Sequence, residues 1–93
     1  MFKTNEYFDG KVMSIAITTA DGPATIGAMA AGEYEFGTST REYMTVTSGV
    51  LTVKLPDSES WVDYGKGQTF IVEKDKKFGV KAEADASYLC LYE

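Results

Sequence analysis

The chain contains no histidine. Imidazole is the commonest metal ligand and the side chain whose ordinary pKa lies nearest neutrality, so histidine-built metal centres and histidine general bases are excluded. One cysteine, Cys90, cannot close an internal disulfide, and the cytoplasm, a reducing compartment, is the expected location. No apolar run approaches the roughly 20 residues that span a bilayer, so no membrane is expected as a partner. The opening residues, MFKTNEYFDGKV, lack the apolar core and positive flank of a secretory signal. Basic residues are scarce: nine lysines and arginines stand against fourteen acids, for a net charge of −5 and no basic run. A nucleic-acid backbone would be repelled on average, which sets the chain against polymeric nucleic acid. An anionic small molecule is still admissible, provided local donors meet its charge.

Helical periodicity is missing too. Glycines interrupt every candidate window before three turns of a 3.6 period accumulate. Period-two segments bounded by turn residues take their place. KVMSIAIT sets Val12, Ser14 and Ala16 on one face and Met13, Ile15 and Ile17 on the other. DGP at Asp21–Pro23 reads as a turn, followed by the strand ATIGAMA, and GEYEF alternates Glu33 and Glu35 with Tyr34 and Phe36. YMTVTSGVLTVKL reads as a tight hairpin turning at Gly49. WVDYG, GKGQTFIVE, FGVKAEA and SYLCLYE complete about eight short strands. At 93 residues and 44% hydrophobic composition, this predicts a single domain, residues 1–93, folded as a small all-β barrel. So small a core favours a homodimer joined by edge-strand pairing.

One spacing carries chemistry. Glu42 is followed by six residues and then Gly49, the acid-to-glycine half of the first cupin motif. The positions that hold histidines in cupins fall here among Glu35–Thr38, and the second motif shows Gly67, Glu73, Asp75 and Phe78 in place of its glycine, proline, glycine and histidine. The turns of a cupin are present and the metal ligands are not, so no metal and no cofactor is expected. NEYFDGKVMSI, GEYEFGT, EYMTVTSGVLTVKLP and SYLCLYE, in this order, resemble the pyrimidine/purine nucleoside phosphorylases, small bacterial cupin-like proteins poor in histidine. The resemblance implies a cupin-like β-barrel (jelly roll) and phosphorolysis: nucleoside plus inorganic phosphate gives ribose 1-phosphate and free base, with broad tolerance of the base. The chain departs from the family pattern at Arg41, where proline is common, and at Glu73–Lys74, where Pro-Gly is common.

Phosphorolysis assigns roles to particular residues. Base departure leaves an oxocarbenium-like sugar, which a carboxylate stabilises; the cupin register aims Glu42 inward and makes it the catalytic candidate. The loop GTSTR offers hydroxyls and a guanidinium at Thr38, Ser39, Thr40 and Arg41 for phosphate, although Arg41 cannot be a ligand shared across the family. Phe36, Phe70, Phe78 and Tyr88 are candidates to stack on the base, the alternative being that they fill the core. Tyr7 is a candidate to reach a neighbouring barrel, Trp61 to plug a barrel end or a dimer contact, and Cys90 reads as a small buried residue. A barrel that binds a small metabolite without turnover is the alternative function, because the same pocket serves either.

Overall fold

The molecule is built from strands, several of which alternate buried and exposed side chains. The structure, a computed structural model, describes residues 2–93 and contains no helix among them. Ten strands follow in chain order: β1 (Lys3–Tyr7), β2 (Val12–Thr19), β3 (Gly22–Met29), β4 (Gly32–Gly37), β5 (Glu42–Ser48), β6 (Val50–Lys54), β7 (Val62–Gly65), β8 (Thr69–Val72), β9 (Lys77–Ala82) and β10 (Ala86–Tyr92). They form two antiparallel sheets, ordered β1-β2-β3-β10-β5-β8 and β4-β9-β6-β7. The inner faces meet over a core that includes Val12, Met29, Val46, Leu51, Val53 and Val80, each no more than 1% exposed. Full burial of such a side chain contributes about 1.5–3 kcal/mol, which is what holds a chain of this size together. The result is the cupin-like barrel that the sequence predicts.

From β4 onward the chain passes repeatedly between the sheets, and this corrects one sequence reading. β5 and β6 do not form a hairpin: β5 pairs with β10 and β8, whereas β6 pairs with β7 and β9. Gly49 does adopt a positive φ of 79°, but the turn is a corner that carries the chain from one sheet to the other. A Cβ there would meet Ala86 Cβ and Asp85 O at 3.0 Å, so the corner is closed against the start of β10.

The strand that the sequence did not delimit is β1. Its residues, KTNEY, are exposed on both faces apart from half-buried Asn5, so no apolar alternation marks it. Backbone pairing with β2 alone defines it, from Lys3 opposite Ala16 to Tyr7 opposite Val12. Trp61 departs from one of its two expected roles, the plug of a barrel end. Its ring lies across Gly79, where a Cβ would stand 2.8 Å from the indole, and Lys81 Nζ sits 4.1 Å from its centroid. It covers the glycine of β9 rather than plugging a barrel end.

Candidate active site

Three neighbouring strands supply the polar side of a cavity. Alternation puts Tyr88, Cys90 and Tyr92 of β10 on its inner face, with Glu42 and Met44 of β5 and Thr25 and Gly27 of β3 beside them. Register makes the placement specific: Tyr92 stands opposite Glu42, Cys90 between Met44 and Thr25, and Tyr88 between Val46 and Gly27. Gly27 is required here, since a Cβ would lie 2.2 Å from Tyr88 Cζ. The missing side chain is what lets the Tyr88 ring lie flat across β3.

Phe36 of β4 and Phe78 of β9 face these residues from the other sheet, with ring centroids 5.8 Å apart. Tyr7 and Phe8 complete the rim. The Phe8 ring packs 4.9 Å from Tyr34 and 5.5 Å from Phe36, centroid to centroid. Phe8 (φ 53°) and Asp9 (φ 58°) both adopt the left-handed conformation, which is uncommon for a bulky residue and strained. The cavity so enclosed has a volume of about 380 Å³, within the range of about 300–1,000 Å³ usual for small-molecule sites.

Its electrostatics are acidic. Glu35 and Glu42 line it, and no lysine or arginine does. Burial raises the Glu42 carboxyl above the ordinary glutamate value of 4.5, and the Cys90 thiol, which donates to Glu42 Oε1 at 3.4 Å, opposes that rise. Burial also pushes the Tyr88 hydroxyl up to about 12 and raises the Tyr92 hydroxyl. Tyr92 and Thr25 share a hydroxyl–hydroxyl hydrogen bond of 2.9 Å. The cavity therefore presents one half-buried carboxyl group among hydroxyls and aromatic faces.

The raised Glu42 value has a consequence for stability. Between 4.5 and the raised value the folded protein binds more proton than the unfolded chain, so the contribution of Glu42 to stability falls as pH rises through that window. Glu42→Gln carries no such charge. Its melting temperature relative to the native protein is expected to climb as pH rises from 4.5 through the raised value. A parallel series of thermal melts checks this, and a constant difference across that range contradicts it.

Glu42, Phe36, Phe78 and Tyr88 meet in this cavity, as the sequence suggests, whereas Phe70 does not line it. Phe70 is 3% exposed and packs against Tyr64 at 4.9 Å, because β8 turns that ring into the core. The structure does not bring Thr38, Ser39, Thr40 and Arg41 into the cavity lining either. The Thr38 hydroxyl donates to Glu73 O at 2.6 Å and accepts from Lys76 N at 3.0 Å, which ties the loop to the segment before β9. Ser39 is exposed, and the Thr40 hydroxyl is buried without a partner. The Arg41 guanidinium is held by two carboxylates, Glu73 at 3.0 Å and Glu93 at 3.3 Å.

Sequence reasoning missed Ser14, Thr25 and Tyr92 as lining residues, and Tyr7 and Phe8 as part of this rim. A signal for Tyr92 was present, since in ASYLCLY the period-two partners of Tyr88 are Cys90 and Tyr92. Among the described residues no three His, Cys, Asp or Glu side chains converge as a metal-ligand set.

The model of the family described as pyrimidine/purine nucleoside phosphorylase matches residues 2–92. A relative of that name from Alcanivorax borkumensis is 63% identical over 92 residues, spanning 99% of this chain and 98% of the relative. Another from Cellvibrio japonicus is 60% identical over 93 residues and spans both chains entirely. Among solved structures, a protein of unknown function from Vibrio parahaemolyticus is similar with a TM-score of 0.93 at 37% identity, over 97% of this chain and 96% of that one.

Proposed function

Because the chain belongs to the pyrimidine/purine nucleoside phosphorylase family, we propose that it cleaves purine and pyrimidine nucleosides with inorganic phosphate. The C1′–N bond breaks, a phosphate oxygen bonds to C1′, and the proton of hydrogen phosphate ends on the departing base. Products are ribose 1-phosphate and free base, formed in the cytoplasm. One observation carries this reading: a half-buried acid, Glu42, stands in an aromatic cavity lined by no lysine or arginine. A carboxylate there stabilises positive charge as it develops on the sugar. Phe36, Phe78 and Tyr88 supply flat apolar surface for bases of either size, which suits stacking without base-specific hydrogen bonds. Incubation with uridine and with adenosine tests the breadth. Free base is expected from both, and release from only one would restrict the activity to that class.

The phosphate needs donors, and the geometry favours hydroxyls. Ser14, Thr25 and Tyr92 line the cavity, while Arg41 is occupied by Glu73 and Glu93 outside its lining. Arg41→Gln is expected to leave the KM for phosphate within about threefold of native, as befits an exposed pair of ion contacts. A rise of tenfold or more would show that the guanidinium leaves its acidic partners to meet the substrate.

We retain the homodimer as part of the same proposal. β1 and β8 bound one sheet and β4 and β7 the other, so four strand edges lie open to pairing. Light scattering at micromolar concentration should give twice the monomer mass; the monomer mass would refute edge pairing.

A further inference from the structure

We propose that Cys90 is a positioning residue for Glu42: its thiol donates to the carboxylate and holds it aimed into the cavity. The inference rests on the phosphorylase reading for its purpose, but its geometry is independent of that reading.

Two strand registers make the arrangement. Tyr92 and Glu42 are direct cross-strand partners on β10 and β5, and Cys90 and Thr25 are direct partners on β10 and β3. The four inward side chains therefore form a zigzag across three neighbouring strands. Two hydrogen bonds cross it: Thr25 and Tyr92 share a hydroxyl contact of 2.9 Å, and Cys90 Sγ lies 3.4 Å from Glu42 Oε1. Among the described residues no other side chain is hydrogen-bonded to the Glu42 carboxylate.

The chemistry suits a donor and not a nucleophile. Cys90 is 1% exposed, and burial raises its thiol well above the ordinary value, with the adjacent Glu42 charge adding to the rise. Burial therefore favours the protonated thiol, which can give one hydrogen bond. Of the other titratable groups around the cavity, Tyr88 and Tyr92 of β10, Tyr7 of β1 and Glu35 of β4 are not hydrogen-bonded to Glu42, and the neighbouring Arg41 is paired with Glu73 and Glu93. β8 and β9 bring only Val72, opposite Glu42, and Phe78. A carboxylate taken into such surroundings would otherwise protonate; one donor shifts the balance back.

A single cysteine makes the test clean, because the protein shows one S–H stretching band. That band is expected to move to higher wavenumber as Glu42 protonates, with the same midpoint as the acid limb of kcat/KM. In Cys90→Ala the acid limb should rise by roughly half a pH unit or more, and Cys90→Ser should bring it back toward native. A merely structural Cys90 would lower the melting temperature in both variants and leave the acid limb in place, which overturns the proposal. So does a native S–H band that stays fixed across the acid limb, or a serine variant that shifts as far as alanine. If the protein releases no base from any nucleoside, the phosphorylase reading falls. The infrared titration, done on the native protein, then decides the thiol–carboxylate contact alone.

Discussion

Glu42→Gln is expected to lower kcat/KM for phosphorolysis by a hundred- to a thousandfold. The substitution keeps the shape of the side chain and removes its charge. In the ground state the nucleoside is neutral at C1′, so the carboxylate gains little from it. In the transition state the sugar carries positive charge, and the attraction is realised only then, which is the condition for raising turnover. Removal of one electrostatic contact of this kind typically costs about 2.7–4 kcal/mol. Stability should not fall with it, since burial already disfavours the charged form of Glu42. Rate and melting temperature measured on the same sample separate the two effects. Activity within about threefold of native would make Glu42 a structural acid.

The second large effect concerns Gly27, which touches no substrate. Gly27→Ala puts a methyl 2.2 Å from Tyr88 Cζ, 2.4 Å from its hydroxyl and 2.5 Å from Cε2. The ring must leave its place over β3, and both stability and the cavity wall suffer. Overpacking of this kind costs about 1–3 kcal/mol, or very roughly 4–20 °C in melting temperature for a domain of this size. The KM for nucleoside should rise as well, because Tyr88 forms part of the surface that the base would meet. A double-mutant cycle isolates the cause. In a Tyr88→Ala background the clash is absent, and Gly27→Ala should become neutral or mildly stabilising, since alanine restricts the unfolded chain more than glycine. An equal loss in both backgrounds would locate the requirement for glycine elsewhere.

Those two positions show what the sequence discloses and what it hides. Inward and outward faces are legible in β4, where Tyr34 and Phe36 alternate with Glu33 and Glu35. They are not legible in β2, where Val12 and Ser14 face in while the apolar Met13 (45% exposed) and Ile15 (42% exposed) face out. Glu42 is legible through its spacing to Gly49. Sheet pairing is not, because a positive φ at Gly49 serves a hairpin and a sheet-crossing corner equally well. The partner of each strand is set by contacts distant in sequence, such as Cys90 against Thr25. That distance also conceals the zigzag of Thr25, Cys90, Tyr92 and Glu42, whose members come from three strands. The GTSTR loop misleads for a further reason. Composition reports which donors exist, and only the fold reports that Thr38 and Arg41 are already engaged by Glu73, Lys76 and Glu93.

The central claim is phosphorolysis, and it is tested most directly by following a nucleoside reaction by phosphorus NMR with and without inorganic phosphate. A ribose 1-phosphate resonance is expected to grow in equal amount to the free base, with no base released when phosphate is omitted. Base released without phosphate, or ribose in place of ribose 1-phosphate, would make the reaction a hydrolysis and contradict the account.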